Sequence, residues 1–255
     1  MSLSALKGRV NNLLRRYLDL EIVDLSRKHS GGGPGVDLLG LILRERSSRV
    51  DRKLRVLQIG ANDGLTGDPL RALIVDDLVE AVLVEPLPSL CDGLRELYAD
   101  NPDVRIVESA VAAKAGTAEI YVALRADGAF ADSKVSSFDP AHVADHIDRR
   151  RAIEPELFGE APRVGTREVD VITPETLLAN SGWTSADALI VDAEGLDAEI
   201  VSFVLDFDLD IAVIQFESSN IENGVLKELD LRLASEGYLS ARSGQNTIAI
   251  REDEA

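Results

Sequence analysis

Cysteine, histidine and positive charge are all scarce in this chain. A single cysteine among 255 residues, Cys91, excludes an intrachain disulfide and agrees with a reducing compartment. Set in an apolar helical pattern, it reads as a small core residue. Twenty-seven Lys and Arg against 45 Asp and Glu leave a net charge of −18. That field repels phosphate backbones and anionic lipid, so neither nucleic acid nor a membrane is expected as a partner. No stretch approaches the ~20 apolar residues of a membrane span. The first residues also lack the apolar core of a signal peptide, and a cytoplasmic protein is expected. The G-x-G-x-x-G fingerprint is missing too, because the glycines after Ile59 stand at positions 60, 64 and 67. That spacing weighs against a dinucleotide. None of the four tyrosines is followed by a lysine four residues on, which weighs against a nicotinamide-dependent oxidoreductase or epimerase.

What is present is an alternation of strands and helices. Residues 1–50 read as an N-terminal helical extension. A basic amphipathic helix over 3–25 would pack on its own domain or across a homodimer, a glycine-rich joint follows over 29–35, and a helix over 36–46 leads on. Residues 51–255 read as one Rossmann-like domain. The pattern predicts strands at 54–59, 81–85, 104–107, 167–171, 188–192 and 211–217, and helices at 69–78, 89–98, 174–180, 196–205 and 225–235. Such alternation implies a parallel sheet with right-handed crossovers and helices on both faces. Strands at 238–241 and 246–250, joined through Ser243-Gly244, put an antiparallel strand last. Segments 109–113 and 117–123 read as a hairpin. Residues 124–166 read as an irregular lid or acceptor-binding insertion with a helix over 140–151.

Two places concentrate chemistry. The strand at 54–59 runs into the turn Gly60-Ala61-Asn62-Asp63-Gly64, and the next strand ends on Glu85, twenty-five residues beyond Gly60. A carboxylate there can accept both hydroxyls of a ribose, while Asn62 and Asp63 offer polar groups suited to a zwitterionic amino acid. Glu108 and Ser109, after the third strand, stand where an adenine edge would lie. The second place is Asp192-Ala193-Glu194, with Glu217 ending the following strand. These acids can hold a cofactor amine, steer a hydroxyl or bind Mg²⁺, though no metal-ligand set is complete and a metal is not favoured. Of the three histidines, His142 and His146 lie one helical turn apart in the insertion. A histidine is the natural general base at neutral pH, with His146 the first choice and His142 the second. Arg149 to Arg151 can meet an anionic acceptor or simply be solvated.

Taken in order, QIGANDG, VEPLP, SSFDPAHVADH, VITPETLL, VDAEGLD and IQFE resemble the FkbM family of S-adenosylmethionine-dependent methyltransferases, over roughly residues 54–250. The resemblance implies an α/β class I methyltransferase fold: a seven-stranded, mostly parallel sheet with an antiparallel last strand. It also implies S-adenosyl-L-methionine as cofactor and a small hydroxylated acceptor, a sugar or specialised metabolite, methylated at oxygen. Carried over by position, Gly60, Ala61, Asn62 and Gly64, with Asp63 beside them, would line the methionine part. Glu85 would meet the ribose, Ser109 the adenine, and Asp192 would stand where donor and acceptor meet. Gln58 and Ser109 stand where many such enzymes carry an acid. Methylation at nitrogen or carbon of a small metabolite, or cofactor binding without turnover, are the alternative readings.

Overall fold

Strand β1 (Leu54–Ile59) and strand β8 (Ser185–Val191) lie side by side at the centre of a seven-stranded sheet. The computed structural model describes residues 37–65, 67–159, 161–207 and 210–252. The predicted helix over 3–25, the glycine joint and His29 lie outside them. Helix α1 (Leu38–Arg49) enters the domain slightly beyond its expected 36–46. After β1 come α2 (Arg71–Val75), β2 (Val79–Glu85), α3 (Pro88–Leu97) and β3 (Val104–Glu108). The second half of the sheet follows as α6 (Pro174–Ser181), β8, α7 (Asp197–Val204), β9 (Asp210–Glu217), α8 (Asn223–Ser235), β10 (Tyr238–Ser243) and β11 (Asn246–Arg251).

The strand order is β10-β11-β9-β8-β1-β2-β3. Strands β1, β2, β3, β8 and β9 pair in parallel, and β11 runs antiparallel to both β9 and β10. Successive strand residues point to opposite faces, and in β2, β8 and β9 residues of both faces are buried, so both faces are covered. The core is correspondingly aliphatic, with Leu57, Leu189, Val201, Ile214 and Phe216 among its fully buried members. The expected seven-stranded fold with a reversed last strand is the one observed. Among the described residues, no helix is long and apolar enough to cross a membrane.

Two local expectations are corrected. The segments taken as hairpin arms do not pair with each other. Between them lies β7 (Arg163–Ile172), which takes β4 (Ala110–Val111) in parallel on one side and β5 (Gly116–Leu124) antiparallel on the other. Val171 is opposite Ala110 and Gly116 at once. Nor is 124–166 irregular. It supplies β6 (Phe130–Ser137), α4 (Pro140–Arg151), the single turn α5 (Pro155–Phe158) and the start of β7. The result is a second sheet, β4-β7-β5-β6. Strand β6 escapes a search for alternation because it is an edge strand, paired only with β5, and its register shifts beside Ala123. Helix α4 packs on this sheet through Val143 and Ile147, with Val135 and Phe158 in the same cluster. Its start is well specified: Asp139 caps it by accepting from the Ala141 amide at 2.8 Å, and Pro140 opens the first turn.

Candidate active site

The strand order reverses between β1 and β8, and crevices at such a point are where open α/β sheets take ligands. Here the two chains come very close. The Asp192 amide donates to the Ile59 carbonyl at 2.9 Å, and a Cβ on Gly60 would stand 1.9 Å from the Asp192 carbonyl oxygen. Gly60 also has φ +84°, so only glycine suits this position. The turn continues through Asn62 in the left-handed region, at φ 50°. Asn62 folds over its own turn, its Oδ1 accepting from the Asp63 amide, and Asp63 Oδ1 accepts from the Leu65 amide.

Glu85 is buried at the end of β2. Its two oxygens accept the main-chain amides of Asn62 (2.9 Å) and Leu87 (3.0 Å), which ties the glycine turn to the neighbouring strand. Burial pushes this carboxyl up to about 7 against the pull of those amides. Cys91 is buried behind it, donating to the Glu85 carbonyl, as a core residue. Ser109 is also buried, its hydroxyl spent on the carbonyls of Ala110 and Asp170. Glu108 is instead held outside by Arg95 at 2.7 Å.

Three cavities meet at Asp192. A narrow slot of 70 Å³ runs beside Glu85, between Val84 and Ile120, Phe138 and Ser109. A second, of 140 Å³, lies over the glycine turn and is bordered by Gln58, Ala61, Asp63, Asp68 and Gln215. Gln58 donates to Asp68 at 3.1 Å, but its buried Oε1 has no partner. The third, of 430 Å³, is bordered by His142, His146, Arg149, Arg150, Asp192, Glu194, Glu217, Asn220, Gln245 and Asn246. Not one of these is apolar. Asn220, Gln245 and Asn246 carry no motif, and only the folding of the β10–β11 turn brings the last two here.

The acids of the β8–α7 loop surround the junction. Oxygens of Asp192, Glu194 and Glu217 lie within 4.8 Å of one another. Desolvation by the surrounding protein, then Glu217, push Asp192 up to about 6. Burial, with Asp192, Glu217 and Asp197, pushes Glu194 up to about 8. Asp197, buried while accepting the amides of Ala193 and Gly195, rises to about 7 mainly through desolvation. Glu194 is held at φ 47°, an uncommon conformation for a side-chain-bearing residue. Its carbonyl accepts from Ser137, which fastens the end of β6 to this loop.

Both predicted histidines border the 430 Å³ cavity, each on a carboxylate. His142 Nε2 lies 2.8 Å from Glu194 Oε2, and His146 Nε2 lies 3.0 Å from Asp132 Oδ2. Sequence reasoning passed over Asp132, because β6 was read as irregular and a lone acid in it carried no signal.

The sequence matches the methyltransferase FkbM domain over residues 58–240. No curated protein matches it. Among solved structures, the METTL16 MTase domain is similar at 11% identity, covering 98% of this chain and 80% of that one, with a TM-score of 0.45. The N-terminal domain of human METTL16 in complex with SAH gives 12%, 97%, 82% and 0.40. The Methanococcus jannaschii fibrillarin pre-rRNA processing protein gives 13%, 79%, 67% and 0.40.

Proposed function

Because this chain belongs to the FkbM family of S-adenosylmethionine-dependent methyltransferases, we propose that it methylates a hydroxyl of a small polyhydroxylated acceptor, a sugar above all. The observation carrying this reading is the 430 Å³ cavity, walled entirely by imidazole, guanidinium, carboxylate and amide groups and sharing Asp192 with the two smaller cavities. An apolar polyketide or an aromatic ring would strand those polar groups without partners, whereas a polyol satisfies them.

The smaller cavities fit the cofactor. The slot beside Glu85 offers apolar walls for a purine, with Ser109 at its floor. Glu85, although it already accepts two amides, keeps lone pairs for ribose hydroxyls. The second cavity offers an unpartnered buried oxygen, on Gln58, and the Asp192 carboxylate to an ammonium, with Gly60, Ala61, Asn62, Asp63 and Gly64 forming the turn around it. When bound, S-adenosylmethionine supplies a methyl group on a sulfonium, and its in-line transfer leaves a neutral thioether. The chain's own task is to hold the acceptor oxygen at the junction and take its proton. His146 is the base in this reading, with His142 second, and Asp192 orients the acceptor hydroxyl. A Mg²⁺ ion is not required by it.

The test is calorimetry with S-adenosylmethionine, S-adenosylhomocysteine and NAD, repeated on Glu85→Ala. It is followed by transfer of labelled methyl to monosaccharides, amino sugars and apolar alcohols, with the product bond assigned by NMR. Binding of the sulfur nucleotides that Glu85→Ala weakens, and O-methyl sugars as products, are expected. A preference for NAD, or label appearing only on nitrogen or carbon, defeats the proposal.

A further inference from the structure

We propose that Asp132 is the positioning residue of the acceptor base, holding His146 in the tautomer that leaves its Nδ1 lone pair for the acceptor hydroxyl. The inference rests on the methyl-transfer reading for its purpose, but its geometry stands apart from it. Asp132 sits on β6 with only 8% of its surface exposed, and its Oδ2 is 3.0 Å from His146 Nε2. The Arg150 Nε lies 3.6 Å from the same oxygen, while an Arg150 Nη donates to Glu154 at 3.0 Å. His146 and Arg150 are four residues apart on α4, so one face of the helix grips one carboxylate from two sides. A carboxylate beside a guanidinium stays ionised, so it accepts the hydrogen bond from His146 and has no hydrogen to donate. His146 Nε2 must then carry hydrogen, and Nδ1, without a partner among the described residues, is the basic atom.

The other histidine is placed differently. His142 shares its hydrogen bond with Glu194, which burial and the neighbouring carboxylates of Asp192, Glu217 and Asp197 push up to about 8. His142 thus leans on a carboxylate crowded by other acids, whereas His146 is backed by a carboxylate lying against a guanidinium. The charged groups around His146 are Asp132 from β6, His142, Arg149 and Arg150 from its own helix, and Asp192, Glu194 and Glu217 across the cavity. In the reaction, the acceptor's O–H proton passes to Nδ1. The oxygen lone pair forms the new bond to the methyl carbon as the carbon–sulfur bond breaks, its electron pair staying on sulfur. The imidazolium then returns its proton to water.

The experiment is ¹⁵N-histidine NMR of the full chain. The spectrum holds three histidines, assigned by His142→Gln and His146→Gln. In the unsubstituted protein His146 is expected as the Nε2–H tautomer, and this measurement alone overturns the proposal if the Nδ1–H form dominates. In Asp132→Asn the tautomer balance should shift toward Nδ1–H. Methyl transfer should fall about a hundredfold while S-adenosylhomocysteine affinity stays within about twofold. Asp132→Glu should restore part of the loss. A folded, nucleotide-binding Asp132→Asn with unchanged tautomer would sink the assignment. Failure of the unsubstituted protein to bind S-adenosylhomocysteine would instead sink the methyl-transfer reading, with the tautomer result standing by itself.

Discussion

At the scale of single residues, Gly60 and Glu85 carry the sharpest expectations. In Gly60→Ala the new Cβ meets the Asp192 carbonyl oxygen, a backbone atom that cannot swing aside, at a positive φ. Overpacking and backbone strain together should lower stability by about 3 kcal/mol or more, read as a fall in the urea midpoint. Nucleotide affinity should fall as well, since Asp192 borders every cavity of the site. Glu85 yields a pH dependence. Ribose hydroxyls donate to a carboxylate, so binding favours the ionised form, and a group resting at about 7 loses that form as pH falls. Affinity for S-adenosylhomocysteine should drop about tenfold between pH 8 and pH 6, and Glu85→Gln should abolish the slope. A flat calorimetric profile would argue against the ribose assignment.

At the scale of elements, the opposite end of β8 is held by charge. Burial alone would raise the Asp187 carboxyl, but Arg52, the Arg55 amide and Arg46 outweigh it and hold it below the usual carboxylate range. Asp187→Ala removes the buried acceptor shared by Arg46, Arg52 and the Arg55 amide and should cost about 1.5–3 kcal/mol, measured by denaturant unfolding. With a depressed folded pKa, the contribution is present above the ordinary carboxylate range and vanishes as pH falls below it. The central parallel strands were legible in the sequence because nearly all of their residues are buried, which makes them predominantly apolar runs. Leu54–Ile59 was legible at its observed bounds, and the strand expected at 188–192 begins three residues earlier, as Ser185–Val191. The second sheet was not legible. Strand β6 shows little alternation, and the neighbour of Ala110 and Gly116 is Val171, some sixty residues on. Pairing at that range leaves no local signature. The same limit applies to the site. Gly60, Glu85 and Asp192 stand at strand ends where pattern points to them, whereas Asp132, Gln215 and Asn246 arrive only through tertiary packing.

At the scale of the molecule, the acid excess has an uneven distribution. Among the described residues most acids are at least partly exposed, but Glu85, Asp192, Glu194 and Asp197 gather at one crevice, raised by burial to between about 6 and about 8. Groups whose folded pKa exceeds the unfolded one retain protons that unfolding releases. Their contribution is therefore complete near pH 4 and is lost as pH rises through 6 to 8. The nucleotide-free protein should melt at a higher temperature at pH 5.5 than at pH 8, and unfolding at pH 6.5 should acidify a weakly buffered solution. Proton uptake on unfolding at that pH would contradict the burial of the cluster.

The strand order also carries a consequence for biosynthesis. β1, β2 and β3 are complete by Glu108, yet the strand that pairs with the free side of β1 ends only at Val191. A chain emerging from the ribosome thus carries a half-sheet with an apolar, hydrogen-bond-hungry edge through the synthesis of some eighty further residues. The second sheet is made entirely in that interval, so it folds while its larger neighbour is still open. Faults in its assembly would be expected to appear as aggregation through β1 before they appear as a damaged active site.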